Sequence, residues 1–266
     1  PNPSRNKDLF LVAAIYTLSI AAGILLLYTR KVPSPLWKAF WADLLVTVLV
    51  FSGSMRWNNS SIYDPYWSVI PPLLALYWLL SSGTALTLPL VLLLFSLLYW
   101  GIRLTINWGS GLQGLKDEDW RYMEFRERFP RAYWLVSLGG IHLFPTLIVF
   151  LCMVPVYLAF NADPAPLNGW HMAGFVLAVA GTTLELIADR QLRTFREKEA
   201  GKQKIIESGL WAVSRHPNYL GEVTFWFGMW CFGFGSAPGT FWTLVAPMAM
   251  LAMFMGVSIP WMEKKI

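Results

Sequence analysis

The sequence predicts an all-α, polytopic membrane protein with about seven to eight transmembrane helices of ~20 residues each and a short cytoplasmic interfacial helix. Three observations carry this. Hydrophobic residues form 56% of the 266-residue chain and charged residues only 14%, which is far from the average of soluble domains. The apolar residues gather in runs of about span length separated by short loops. Fifteen Trp and ten Tyr suit interfacial belts, or the wall of a cavity for a flat apolar ligand. The chain reads as one membrane-embedded domain over 1–266.

The apolar runs cover 9–28, 36–53, 66–80, 84–102, 133–160, 169–188, 219–236 and 239–259. Leu9 to Tyr28 lacks a small-residue cleavage site and reads as a retained first span rather than a signal peptide. The third run is short and holds Pro71-Pro72, so it should be broken or partly re-entrant. The fifth is over-long, and Pro145 and Pro155 predict kinks in it. The seventh is rich in glycine (Gly228, Gly233, Gly235) and can line a cavity as readily as span. Between the fourth and fifth runs, Lys116 to Phe129 mixes Trp120, Met123 and Phe125 with dense charge of both signs. It reads as an interfacial helix on the cytoplasmic face or as a solvated connector.

Positive charge sorts the loops. The loop after the fourth run holds Arg103, Lys116, Arg121, Arg126, Arg128 and Arg131. The loop after the sixth holds Arg190, Arg193, Arg196, Lys198, Lys202, Lys204 and Arg215. Both fall on one side, which the positive-inside rule makes cytoplasmic, with the N-terminus there too. Arg30, Lys31 and Lys38 fall on the other side, against the rule. The expected setting is a bacterial inner membrane, or the endoplasmic reticulum of a eukaryote. Loop charge accounts for the basic balance without nucleic acid. Cys152 and Cys231 lie in apolar runs without partner spacing, so neither disulfide nor metal chemistry is indicated. His142 and His171 stand isolated and read as structural. No metal site, Gly-rich phosphate loop or nucleophile elbow is present.

The densest run of hydrogen-bonding side chains is Ser208-Gly209-Leu210 through Arg215-His216-Pro217-Asn218-Tyr219-Leu220-Gly221-Glu222. Pro217 fixes its own φ and pushes His216 out of the helical region, so a new element should start near Asn218. Free N–H groups at that helix start, beside Arg215 and His216, suit a phosphate-bearing ligand. A surface turn between two spans is the bland alternative. Upstream, Glu185 and Asp189 sit one turn apart at the end of the sixth run, followed by Arg193 and Arg196 on nearly the same face. Ionisable groups at membrane depth need a cavity or a partner. They read either as ion pairs with Arg193 or as the polar wall of a cofactor site, with Arg193, Arg196, Lys198 and Lys204 holding phosphates. Asp64 precedes Pro65 where the third run begins, a common turn or N-cap pairing. Tyr99 and Arg103 close the fourth run as an interfacial aromatic and a basic anchor.

The run Ser208 to Glu222, preceded by Asp189-x-Gln191-x-x-x-Phe195, resembles the C-terminal half of the steroid 5α-reductase superfamily, most closely its bacterial members. The resemblance is strong from about Gly181 to Trp230 and weak elsewhere. It implies a membrane enzyme that uses NADPH to reduce a carbon–carbon double bond conjugated to a ketone, such as the C4–C5 bond of a 3-oxo-Δ4-steroid. By resemblance, Asn218 and Glu222, with Tyr219 and His216 beside them, contact the nicotinamide end and the diphosphate. Asp189 and Arg196 contact the adenosine half, Glu185 stands where animal enzymes have Asn, and Lys204 stands near a phosphate-binding Arg. Arg103, Arg193 and Arg215 complete the expected cofactor set. Tyr63-Asp64 followed by Ile70-Pro71 resembles the stretch that bears the substrate-ketone acid, which assigns that role to Asp64. Tyr99 resembles the catalytic Tyr, one residue out of register relative to Arg103. In the expected mechanism Tyr99 and a protonated Asp64 stabilise the charge that develops on the ketone oxygen. The apolar steroid or sterol-like enone would enter from membrane lipid between the first four spans (about 9–107), and NADPH would bind the C-terminal region (about 181–266). The Arg-His-Pro core is shared with isoprenylcysteine and phospholipid methyltransferases that use S-adenosylmethionine, which is the alternative. Those enzymes usually carry a Glu pair near the C-terminus, and only Glu263 is present here.

Overall fold

A computed structural model describes residues 3–28, 32–199 and 205–264. Arg30, Lys31, Lys202 and Lys204 therefore lie outside the described residues. Within the described residues the secondary structure is helical, with no strand. The helices are α1 (Pro3–Leu27), α2 (Pro35–Arg56), α3 (Tyr66–Ser82), α4 (Leu88–Gly111), α5 (Trp120–Arg128), α6 (Tyr133–Val136), α7 (Phe144–Asn161), α8 (Gly169–Lys198), α9 (Pro217–Ser236), α10 (Val245–Met253) and α11 (Ile259–Glu263).

Six helical stretches are long and apolar enough to cross a membrane: Arg5–Leu27, Pro35–Arg56, Leu88–Gly111, Tyr133–Asn161, Gly169–Lys198 and Pro238–Glu263. The chain is thus a multi-pass membrane protein by length and composition, with six qualifying spans among the described residues against the seven to eight expected. The third and seventh apolar runs are the two that fall short. Helix α3 has 17 residues, about 25 Å at 1.5 Å per residue, against a hydrocarbon core of roughly 30 Å. Helix α9 carries Glu222 and several glycines and indoles, which dilute its hydropathy.

Pro71 and Pro72 do not break α3, contrary to expectation. They fall in its second turn, where only the Trp67 and Ser68 carbonyls lose a helical donor. In the long fifth run the irregularity is π-helical, over Ser137–Leu143, between α6 and α7. The charged segment after α4 forms α5, capped by Asp119, whose carboxylate accepts from the Arg121 backbone N–H at 2.9 Å.

The chain packs as two compact units. The first comprises residues 1–81 and 104–150, the second 82–103 and 151–266. In the first unit a chain of buried hydroxyls links helices: Thr47 bonds the Tyr66 hydroxyl (3.0 Å) and Thr146 (3.0 Å), and Thr146 bonds Tyr63 (2.7 Å). His142 is buried between Ser54 (3.1 Å) and the Ser137 carbonyl (2.8 Å).

The second unit is built on α8 against α9. Asn168 caps α8 by accepting from the Trp170 and His171 N–H groups, and the His171 ring returns a bond to the Asn168 N–H. The two helices touch backbone to backbone. A Cβ on Gly181 would lie 2.5 Å from the Gly221 carbonyl oxygen, and one on Gly228 would lie 2.7 Å from the Gly174 carbonyl oxygen. Small residues at such a crossing let spans approach closely where water supplies no driving force.

Candidate functional site

The second unit gathers most of the ionisable residues expected at a cofactor site. Arg103, 6% exposed on α4, lies between the α8 carboxylates. Its Nη2 stands 2.5 Å from Glu185 Oε2 and its Nη1 2.7 Å from Asp189 Oδ2. The i, i+4 spacing of Glu185 and Asp189 points both at one guanidinium, whose planar fork can serve two acceptors. Both carboxylates thus share Arg103, a cation far from them in sequence. Arg193 still lies close enough to act on Asp189 electrostatically.

Glu222, 5% exposed on α9, is held by two indoles. Trp100 Nε1 donates to Oε2 at 2.8 Å and Trp226 Nε1 donates to Oε1 at 2.9 Å. Trp100 stacks on Phe225 with ring centroids 4.6 Å apart, which closes the carboxylate off from water. Both oxygens of Glu222 are thus satisfied within the protein. In this structure Glu222 fixes the start of α9 against α4, and that is what its geometry supports directly.

Helix α9 begins at Pro217, as the proline predicts, with His216 as its non-helical N-cap. The turn before it depends on Gln191. Gly209 adopts φ +60°, and a Cβ there would meet the Gln191 amide at 2.6 Å. Gln191 Oε1 accepts the Leu210 N–H at 2.9 Å, and Trp211 Nε1 donates to the Ala188 carbonyl at 3.1 Å. Glycine adopts that conformation without strain and leaves room for the glutamine. The Asn218 side chain hydrogen-bonds Asp189, while its Oδ1 is buried without a partner among the described residues. The His216 ring stacks on Tyr219 (5.4 Å), and Tyr219 stacks on Phe254 (4.6 Å). Arg215 is exposed and lies 3.3 Å from Glu263, and Arg196 is exposed on the last turns of α8.

Tyr99 lies in the same unit, its hydroxyl 3.2 Å from Thr183 Oγ1 and its ring stacked on Phe95. Asp64 belongs to the first unit. Its carboxyl caps no helix start. It accepts the Tyr122 hydroxyl at 2.7 Å, from the helix that carries Arg121. Burial pushes the Asp64 carboxyl up to about 7, opposed by the Arg121 guanidinium and the Tyr122 hydroxyl.

This shift has a pH consequence. The unfolded carboxyl releases its proton near its ordinary value of 3.8, while the folded one holds it to about 7. Stability from this group is therefore full below about pH 4 and is lost as pH rises to about 7. Asp64→Asn is expected to flatten the wild-type fall in Tm across that window. Asp64 is half-buried, so a discounted coupling of about 1 kcal/mol corresponds to roughly 2–4 °C. Parallel pH profiles for the two proteins would refute it.

Two residues of this arrangement carried no local signal in the sequence, Trp100 and Trp226. Each reads as one more aromatic in an apolar run. Gln191 was visible within the motif, but its partner Gly209 lies far along the chain.

A family described as a protein of unknown function (DUF1295) matches residues 50–266. The chain belongs to this family. The matched part of DUF1295 contains Arg103, Glu185, Asp189, Asn218 and Glu222, together with Asp64 and Tyr99. A relative in Schizosaccharomyces pombe, uncharacterized protein C594.04c, is 25% identical over 248 residues, covering 82% of this chain and 71% of the relative. No solved structure matches.

Proposed function

We propose that the protein is an NADPH-dependent membrane reductase of the steroid 5α-reductase type, acting on an apolar enone. The observation that carries this reading is Asn218 Oδ1, a buried acceptor without a donor among the described residues, at the N-terminus of a 20-residue helix. An orphaned acceptor of this kind costs about 1–3 kcal/mol and is relieved by a ligand N–H. The positive end of that helix dipole favours a phosphate. Arg193, Arg196 and Arg215 supply cations on the adjoining segments. These groups fit a dinucleotide: Asn218 for the carboxamide end, the helix start and arginines for the phosphates, Asp189 for ribose hydroxyls.

When bound, NADPH supplies the hydride. Tyr99 then serves as donor to the substrate ketone, where negative charge develops. The ketone role of Asp64 rests on resemblance alone, and within its own unit its carboxyl is engaged by Tyr122. Glu185 and Glu222 are read as positioning residues, since Arg103 and the two indoles occupy them. The basic loops are placed on the cytoplasmic side, where the cofactor is available.

The test is the Tm of the detergent-purified protein with NADPH, NADH, S-adenosylmethionine or no addition. A ligand at 100 times its Kd adds about 2.7 kcal/mol, or roughly 5–10 °C for a chain of this size. A rise with NADPH, reduced in Asn218→Ala, is expected. A rise with S-adenosylmethionine alone would replace the reductase by a methyltransferase. No rise with any of them would leave a non-catalytic membrane protein or a transporter.

A further inference from the structure

The first unit contains a cavity of about 450 Å3 between α1, α2 and α3, within the range of about 300–1,000 Å3 typical of small-molecule sites. Its wall is mostly aliphatic and includes Ile20 and Ile24 on α1, Val46 on α2, and Ile70, Leu73 and Leu76 on α3. Ile24, Leu73 and Leu76 are 47%, 38% and 48% exposed, so one side of the wall faces the surroundings of the helices. For helices in a bilayer those surroundings are acyl chains.

One carboxyl lies on this wall. Asp43, 4% exposed, sits two turns into α2. Its Oδ1 is taken: the Tyr66 hydroxyl donates to it at 2.6 Å, and Thr47 holds that hydroxyl from the other side at 3.0 Å. Oδ2 accepts from no donor among the described residues, and Asp43 is itself part of the cavity wall. A carboxyl at this depth, with one oxygen fixed and the other open, requires a donor from whatever fills the space.

We infer that this cavity binds an apolar alcohol from the membrane, with its hydroxyl donating to Asp43 Oδ2 and its body against Ile24, Leu73 and Leu76. An ammonium could satisfy the same oxygen, but it would have to cross that apolar rim as a charge. The inference uses only the first unit and does not depend on the reductase reading.

The experiment is equilibrium binding to the full chain in detergent micelles without cofactor. The probes are dehydroergosterol, a fluorescent sterol alcohol, and tritiated hexadecanol. Saturable binding of at least one is expected, weakened about tenfold or more when its hydroxyl is acetylated or when Asp43 is changed to leucine. Ile24→Trp changes an exposed rim residue and should abolish binding while preserving the fold. It keeps the inference testable if Asp43→Leu misfolds. The inference is overturned if neither probe saturates, so that only water fills the space. Equal binding of the acetylated probe, or undiminished binding by Ile24→Trp, also overturns it.

Discussion

Arg103→Met is expected to lower the stability of the second unit by about 3–5 kcal/mol, the usual cost of removing one partner from a buried ion pair. Methionine matches much of the aliphatic stem, so packing is largely kept and the loss is electrostatic. Glu185 and Asp189 would remain on α8 without the guanidinium that lies 2.5 Å and 2.7 Å from their oxygens. Both carboxylates would then have to bind protons or draw in water. Thermal melting followed by tryptophan fluorescence should register a fall of roughly 10 °C. The double variant Arg103→Met/Glu185→Gln should recover part of it, because it removes one of the stranded charges. A fall below about 2 °C in the single variant would mean that Arg103 is not what compensates the acids.

A second large effect is expected at the α8–α9 contact. Gly221→Ala would put a Cβ 2.6 Å from the Gly181 carbonyl oxygen and 2.8 Å from Glu185 Cβ. Neither backbone nor Cβ can rotate away, so the helices must separate. Overpacking of this type typically costs about 1–3 kcal/mol, and about 3 kcal/mol or more is expected where the obstruction is backbone. The damage should extend beyond stability, since Asn218 and Glu222 ride on the same turns of α9. The control is Gly109→Ala on α4, where nothing lies within 4 Å of the added carbon. That change should stabilise by about 0.5–1 kcal/mol through helix propensity. If both variants melt alike, close approach is not what selects glycine at 221.

Local rules read some of these elements well and others poorly. Pro217 fixed the start of α9 because proline acts on its own residue and its neighbour. The charged segment 116–129 yielded α5 for the same kind of reason: Asp119 caps the turn immediately after it. Partner choice was another matter. For Glu185 and Asp189 the cation on nearly the same helix face is Arg193, yet Arg103, more than eighty residues away, contacts both. Only tertiary packing decides that, and one sequence holds no trace of it. The two indoles on Glu222 were hidden in the same way among fifteen tryptophans. Asp43 differs from these, because a carboxyl inside an apolar run is itself a local signal of a polar partner or cavity. The span count departs from expectation for another reason: runs of similar look differ by a few residues in length and a few polar atoms, as α3 and α9 do.

The π-helical stretch at Ser137–Leu143 gives the α6–α7 rod one consequence of its own. A π turn holds one residue more than the α turn it replaces. The rod therefore carries a spare unit of length, at a place where a Cβ added to Gly139 or Gly140 would meet nothing within 4 Å. Losing one of those glycines would let the turn tighten to α while Tyr133 on one side and Thr146 on the other keep the faces they now present. The same deletion in α8 would rotate every later residue by about 100° and scramble the acids that face Arg103. In this molecule a change of chain length is a local event in one span and a global one in another.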